Sequence, residues 1–293
     1  MIREVVTDAD VEAWVRIRNA VEPWEATTVE TTLLTSVAEP DRRLYLGELD
    51  GEVASCGGVA RSETRFTAAT VFPRVLPEAR RRGLGTALLR AGSERARELG
   101  CDVLAGHVDA DDEAALAFAA RFGFVEVDRQ VELVRPLSPG EQWPAVPDGV
   151  EIVPLAREHV EGLHVLALAA ARDLPVAGEI RPETVATWVD EIVAGHAFVA
   201  LADGEVVGVA GIADRPARNG SAENNLTAVR ADLRGRGIAT ALKLTVVAWA
   251  AEQGYRELTT WTQDGNDGMQ AVNDRAGYRP GHVSITVRGP LLP

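Results

Sequence analysis

Two short stretches of the chain carry residue types suited to gripping an anion. "RRRGLGTALL", residues 80–89, and "RGRGIATALK", residues 234–243, each set arginines and glycine in a turn that runs straight into an apolar, alanine-rich segment. A helix begun there offers unpaired N–H groups and the positive end of its dipole. Glycine in the turn lets a bulky anion reach the backbone with no Cβ in the way. Preceded by a strand, this is the makeup of a phosphate cradle; a tight strand-to-helix turn with solvated arginines is the competing reading. Two other phosphate motifs are excluded. A P-loop ends in Gly-Lys-Ser/Thr, and Gly85-Thr86 and Ala239-Thr240 lack the lysine. A dinucleotide fingerprint needs a third glycine, where this chain has Leu88 and Leu242.

The two stretches belong to a duplication. Gly83 and Gly237 are 154 apart (237 − 83), as are Arg80 and Arg234, Arg82 and Arg236, Ala117 and Ala271, and Gly123 and Gly277. "DGEV" at 50–53 returns at 203–206, an offset of 153, so one residue of insertion lies between. "SPGEQWPAVPDG", residues 138–149, holds three prolines and two glycines and reads as a linker. The expected division is therefore a domain over 1–138, a linker over 139–149 and a second domain over 150–293, in keeping with a chain of 293 residues.

Each copy predicts the same elements. A short strand opens it, followed by helices at 8–20 and 28–38, or 156–171 and 181–194. Two alternating, β-rich runs around Asp-Gly then predict a hairpin. A fourth strand, continuous over 68–76 and 223–230, leads into the basic turn. A helix over 84–99 or 238–253 ends at Gly100 or Gly254, and a fifth strand, a helix at 112–122 or 266–276 and a last strand complete the copy. The fold class is α/β (α+β), a mixed sheet flanked by helices.

Composition narrows the function. With 46% hydrophobic and 25% charged residues the chain has an ordinary globular makeup. A net charge of −14 argues against nucleic acid as a partner and favours small cationic ones. Cys56 and Cys101 sit in apolar stretches with no CxxC, which predicts buried, reduced thiols and a cytoplasmic protein. "MIREVVTDADVEAW" lacks the basic flank and apolar stretch of a signal peptide. "LALAAA" and "LTVVAWAA" fall short of the roughly 20 residues of a membrane span. No metal-ligand cluster is visible.

The pattern Arg-x-x-Gly-x-Gly/Ala after a fourth strand resembles the acetyl-coenzyme A motif of the GCN5-related N-acetyltransferase (GNAT) superfamily. Its residues here are Arg80, Gly83 and Gly85, then Arg234, Gly237 and Ala239. "GF" and "GY" follow 40 residues after the glycines (123 − 83, 277 − 237), where the family closes its coenzyme site. The second copy is also similar to a subgroup marked here by Thr227, Val229, Leu242, Lys243, Asn266, Met269 and Asn273. The resemblance covers both halves and implies two tandem GNAT domains, each a mixed, mostly antiparallel twisted sheet. It implies acetyl-CoA as co-substrate, its pyrophosphate on backbone N–H groups of Arg81, Arg82, Gly83, Leu84, Gly85 and Thr86 and of Gly235, Arg236, Gly237, Ile238, Ala239 and Thr240. Arg80, Arg230 and Arg234 belong to the same binding set. Main-chain groups at Val75 and Val229 would pair with the pantetheine arm, and one N–H would polarise the thioester carbonyl. Asn266 and Asn273 are further candidates for holding the arm or the sulfur.

Acetyl transfer needs an unprotonated amine, and so a base facing the thioester. The family's usual location is the fourth strand, where the second copy has Glu223; subtracting 154 gives Ala69, with no carboxylate. Glu223 is the candidate general base, against the plain reading of a solvated strand-end glutamate. Many relatives carry a tyrosine acid four residues before the final glycine; here Ala119 and Asn273 stand there. Tyr278 reads as core. His107, His159, His164, His196 and His282 have no Ser or Cys partner of hydrolase type. Trp261 reads as a core residue or a pocket wall. Asp173 and Pro175, with Glu22, Pro23 and Trp24 in the first copy, fall where the family shapes its acceptor site.

The expected protein is an acetyl-CoA-dependent N-acetyltransferase acting on a primary amine of a small, cationic metabolite or antibiotic. Its C-terminal half would be catalytic and its N-terminal half degenerate with the cradle retained. It would be a monomer, a pseudo-dimer of its own domains, or a weak homodimer, with no membrane partner. The alternatives are a non-catalytic acetyl-CoA-binding regulatory protein and a protein-lysine acetyltransferase.

Overall fold

The computed structural model describes residues 1–62, 67–174, 180, 182–215 and 220–293. The first copy runs β1 (Ile2–Glu4), α1 (Asp8–Val21), α2 (Val29–Ala38), β2 (Arg43–Leu49), β3 (Glu52–Arg61), β4 (Ala68–Val71), β5 (Arg74–Val75), α3 (Leu84–Glu98), β6 (Val103–Asp109), α4 (Glu113–Arg121) and β7 (Val125–Pro136). The second repeats that order. It runs β8 (Glu151–Pro154), α5 (Val160–Arg172), α6 (Pro182–Ala194), β9 (His196–Ala202), β10 (Glu205–Asp214), β11 (Ser221–Glu223) and β12 (Thr227–Val229). After these come α7 (Ile238–Glu252), β13 (Glu257–Gln263), α8 (Asp267–Arg275) and β14 (Arg279–Pro290).

The helices start where the residues allow it. Thr7 caps α1 through its hydroxyl and Asp112 caps α4 through its carboxylate, each satisfying an otherwise orphaned N–H. Gly100 and Gly254 take the left-handed conformation just past α3 and α7. The hairpins turn at Asp50-Gly51 and Asp203-Gly204, all four with positive φ, as an Asp-Gly turn requires.

The compact units do not follow the repeat boundaries. Unit 1 is Met1–Val127 with Ile285–Pro293, and unit 2 is Asp128–Ser284. In unit 1 the strand order is β1-β2-β3-β4-β6, then the C-terminal part of β14, with β5 on β3. In unit 2 it is β8-β9-β10-β11-β13-β7, with β12 on β10. Strand β7 comes from the first copy yet runs antiparallel to β13, from Pro136 opposite Glu257 to Gln130 opposite Gln263. The segment 138–149, expected as a linker, lies inside unit 2: Trp143 donates to Glu252 Oε1 at 2.7 Å and packs edge-on to Phe198. Most pairs are antiparallel, while β4 with β6 and β11 with β13 are parallel.

Each unit has its own core. Val59, Leu88, Leu89, Leu104 and Phe124 anchor unit 1, joined by Ile285, Val287 and Leu292 from the far end of the chain. Phe198, Ile212, Leu242, Val246, Leu258 and Tyr278 anchor one face of unit 2, and Leu163, Val185 and Ile192 the other. The Leu292 N–H also donates to the buried Ser93 hydroxyl at 3.0 Å.

Three buried aliphatic side chains are worth about 5–9 kcal/mol together, on the scale of a whole domain's stability. A chain ending at Ser284 is therefore expected to lose amide-exchange protection throughout residues 1–127 while keeping it in the α7 segment. Equal protection of residues 1–127 in the full and shortened chains would contradict this division.

Candidate functional site

The fourth strand of each copy is broken rather than continuous, a correction to the sequence reading. In unit 2, β11 pairs with β13 over three residues, ending with Glu223 opposite Thr259. The Asn224 N–H makes one more bond, to the Thr259 carbonyl at 2.8 Å, and the chain then turns away. Strand β12 pairs with β10 alone, Val229 opposite Gly208. Residues 260–263 stay paired with β7 on one side and, among the described residues, have no strand partner on the other; that unpaired edge beside β12 is the slot. Unit 1 parts in the same way, since β4 pairs with β6 as far as Thr70 opposite Ala105 and β5 pairs only with β3.

Register also corrects one correspondence. Thr259 and Ala105 are equivalent (259 − 105 = 154), so the counterpart of Glu223 is Thr70 and not Ala69. Val229 and Val75 are equivalent by their pairing with Gly208 and Ser55. The inserted residue thus lies in the break of unit 2, six steps from Glu223 to Val229 against five from Thr70 to Val75.

At the break the backbone turns hydrogen-bonding groups into the slot. The Arg230 N–H bonds the Val207 carbonyl at 2.8 Å, so alternation along the strand points the Val229 N–H and C=O away from β10. Val75 is equivalent, because the Leu76 N–H bonds Ala54. The two carbonyls are already taken: Arg234 Nε donates to Val229 O at 3.0 Å and Arg80 Nε to Val75 O at 3.3 Å. Arg80 and Arg234 therefore brace the turn against the strand. What remains facing the slot at Val75 and Val229 is the N–H.

The two strand-to-helix turns take the left-handed glycine conformations that the sequence predicts. Gly83 and Gly237 cap α3 and α7 with φ of 91° and 83°, and neither helix has a side-chain cap. Gly235 takes φ 77°, and its counterpart Arg81 takes φ 63°, uncommon for a residue with a side chain. The first helical bonds are Ala87 N–H to Gly83 O and Ala241 N–H to Gly237 O. Among the described residues, no backbone carbonyl accepts from the N–H groups of 81–86 or 235–240. Leu84 and Ile238 are buried anchors and offer only their backbone. A Cβ on Gly83 would meet nothing within 4 Å, so the space above that turn is clear. The arginines are engaged: Arg82 pairs with Asp50, Arg230 with Asp232 and Glu205, and Arg234 with Asp173. Arg236 and Arg230 line a shallow recess beside the start of α7, walled also by Pro147, Asp148 and Glu205.

Glu223 stands at the end of β11, where the strands part. Its carboxylate pairs with Arg215 at 2.7 Å, so an incoming ammonium must compete with that guanidinium. Asn266 caps α8, accepting from the Met269 N–H at 3.2 Å. Asn273 is buried and donates to Thr262 Oγ1 at 2.8 Å, while its Oδ1 has no partner among the described residues. Glu22 is tied to Arg74 at 2.6 Å, and Pro23 and Trp24 form a short 3-10 turn. Trp261 lies on β13 opposite the buried Glu132. Pro175 lies outside the described residues. Cys56 is buried and burial pushes its thiol up to about 12, which leaves no reactive thiolate. Among the described residues no group of three or more His, Cys, Asp or Glu could hold a metal ion, and no helix is long and apolar enough to cross a membrane.

One cluster went unassigned in the sequence. Lys243, in the middle of the apolar α7, is fully buried; its Nζ donates to Asn224 Oδ1 at 2.7 Å and stands 4.9 Å from the Tyr278 ring. Asn224 in turn donates through Nδ2 to Gly211 O at 2.7 Å, and its own carbonyl accepts from Thr260 Oγ1 at 2.8 Å. No carboxylate pairs with Lys243 among the described residues, and burial alone pulls its pKa down to about 7. The visible signal was a lone lysine inside "TALKLTVVAWAA".

These features accompany a recognisable likeness. The acetyltransferase (GNAT) family model matches residues 6–124 and 165–278. Among solved structures, a GCN5-related N-acetyltransferase from Sphaerobacter thermophilus aligns at 21% identity and a TM-score of 0.79, covering 100% of this chain and 96% of that one. A tandem GNAT protein from the clavulanic acid biosynthesis pathway aligns at 20% identity and a TM-score of 0.82, covering 100% and 99%. A putative acetyltransferase from Pyrococcus horikoshii aligns at 17% and 0.62, covering 99% and 89%. At these identities the structures show a shared fold. No curated protein matches the chain in sequence.

Lys243 makes stability depend on pH in a set direction. Its folded pKa, about 7, lies well below the ordinary lysine value, so above pH 7 the unfolded chain binds more protons than the folded one. Lys243 thus costs stability in full below about pH 7, and that cost is relieved as pH rises toward the unfolded value. Unfolding of the protein and of Lys243→Met, compared from pH ~7 to ~9, should show the protein gaining up to about 1.4 kcal/mol per pH unit relative to the variant. Parallel curves would mean that Lys243 keeps its proton when folded.

Proposed function

Because the chain belongs to the acetyltransferase (GNAT) family and is an acyltransferase, we propose that it transfers acetyl from acetyl-CoA to a primary amine of a small, cationic metabolite or antibiotic. Unit 2 does the chemistry in this reading. The observation that carries it is the parting of β11 from β13 directly beside a helix start whose amides are free, with a carboxylate at the parting.

The donor's diphosphate fits the amides of 235–240, where glycines at 235 and 237 keep the approach clear. Its arm fits along Thr227–Val229, as an added strand would, and the Asn273 Oδ1 supplies a buried acceptor for an amide N–H. The Val229 N–H is placed to donate to the thioester oxygen as negative charge develops there. The amine nitrogen attacks the carbonyl carbon, its proton passes to Glu223 directly or through water, the C–S bond breaks, and the thiolate takes a proton from solvent. A carboxylate at the parting and the acidic balance of the chain favour a cationic acceptor. Unit 1 keeps the cradle but has Thr70 where unit 2 has Glu223, which supports a structural role for it.

Thiol release from acetyl-CoA over a panel of small amines tests the reading. Glu223→Gln should lower kcat/KM by about a hundredfold at neutral pH. Gly237→Asn, whose side chain tolerates the left-handed turn but intrudes above it, should raise the KM for acetyl-CoA about tenfold or more. Unchanged turnover in Glu223→Gln together with loss in Gly83→Asn would put the chemistry in unit 1 instead.

A further inference from the structure

Superposing the two copies by register isolates the buried polar cluster of unit 2. Lys243 answers to Leu89 and Tyr278 to Phe124, Asn273 to Ala119, Thr262 to Val108 and Thr260 to Gly106, all at the offset of 154. Asn224, one residue past Glu223, answers to Val71. At all six positions a hydrogen-bonding side chain in unit 2 corresponds to an apolar residue or glycine in unit 1. Both units nonetheless build the same helix against the same sheet, so the polar set is not required to make this fold.

A buried amine with no carboxylate partner costs stability that the apolar version of the site does not incur. Lys243 and Thr260 both bond Asn224, while Asn273 bonds Thr262 separately. Asn224 is where the β11–β13 ladder ends, and four contacts fix it: its N–H to Thr259, its carbonyl from Thr260, its Nδ2 to Gly211, and its Oδ1 from Lys243. Two of these reach β13 and one reaches β10, the strand that carries β12, so Asn224 ties β13 to β10 at the point beyond which β12 and β13 are no longer paired. Lys243 approaches from α7 and is the contact that ties this junction to the helix whose first turn is the cradle.

Resting on the assignment of the chemistry to unit 2, we infer that Lys243 is a positioning residue: through Asn224 it sets where β12 parts from β13, and hence where the Val229 N–H stands relative to the α7 cradle. Lys243 touches neither donor nor acceptor in this account. It fixes the distance between the place that holds the diphosphate and the place that holds the thioester. A misplacement of about an ångström between such points costs about a hundredfold in rate.

Two variants and two readouts test this. Lys243→Met keeps the length of the side chain and removes its donor; Asn224→Val with Lys243→Leu installs the pair that unit 1 already folds around. Both are expected to unfold at or above the temperature of the parent protein. In Lys243→Met, exchange of the bonded amides around the break, those of Gly211, Asn224 and Arg230, should quicken about tenfold or more, a local opening rather than a global one. In both variants kcat for acetyl transfer should fall about a hundredfold with the Kd for acetyl-CoA changed by less than about threefold, because the cradle amides are untouched. A role in stability alone would leave kcat as it is. Parent-like exchange at Gly211, Asn224 and Arg230 in Lys243→Met, or parent-like kcat in the double variant, overturns the inference. The exchange measurement needs no turnover, so a parent protein silent toward every amine would remove the acetyl-transfer reading and leave this inference to be judged on exchange alone.

Discussion

Two parallel strands stay paired only while both present their N–H and C=O groups at matching intervals. At Asn224 that match ends. The chain inserts a bulge, β12 follows β10, and β13 keeps its partner on the far side only. Everything the site does follows from this parting. It exposes backbone donors without unfolding anything, and it leaves an extended slot leading toward a helix start whose amides are likewise free. Unpaired backbone groups are costly when buried, and their recurrence at the same place in both copies supports the proposed pairing with a bound donor.

The two copies show what that scaffold requires and what it does not. Gly83 and Gly237, the buried Leu84 and Ile238, and the arginine that bonds the strand carbonyl recur in both, because the turn has only one way to be made. The interior beside the break is free to differ. Unit 1 fills it with Leu89, Val71 and Phe124, while unit 2 places Lys243, Asn224 and Tyr278 there. The end strands are exchanged reciprocally. Strand β7 completes the sheet of unit 2, and the tail of its counterpart β14 closes the core of unit 1, so the compact units and the sequence repeats do not coincide.

Much of this was legible from residue types. Glycines spaced between arginines predicted both strand-to-helix turns, Asp-Gly predicted both hairpins, and the offset of 154 predicted the duplication. Those signals are local, so each is written in a few consecutive residues. The break in the fourth strand was not legible, because "AENNLTAV" reads as well for a continuous strand as for an interrupted one. The exchange of β7 was hidden for the opposite reason: strand pairing is non-local, and a proline-rich segment looks like a boundary wherever it lies. Subtracting one offset throughout also misassigned Ala69 to Glu223, since the inserted residue sits inside the break itself. Lys243 was visible as an odd residue in an apolar helix, but its purpose depends on Asn224, which follows the proposed base and drew no notice beside it.

The most direct test of the account is a structure of the protein with acetyl-CoA bound. It should show the diphosphate on the amides of 235–240 and the arm lying along Thr227–Val229, with the thioester oxygen within hydrogen-bond distance of the Val229 N–H. A donor bound away from the parting of β11 and β13, or held by unit 1 alone with that slot closed, would contradict it.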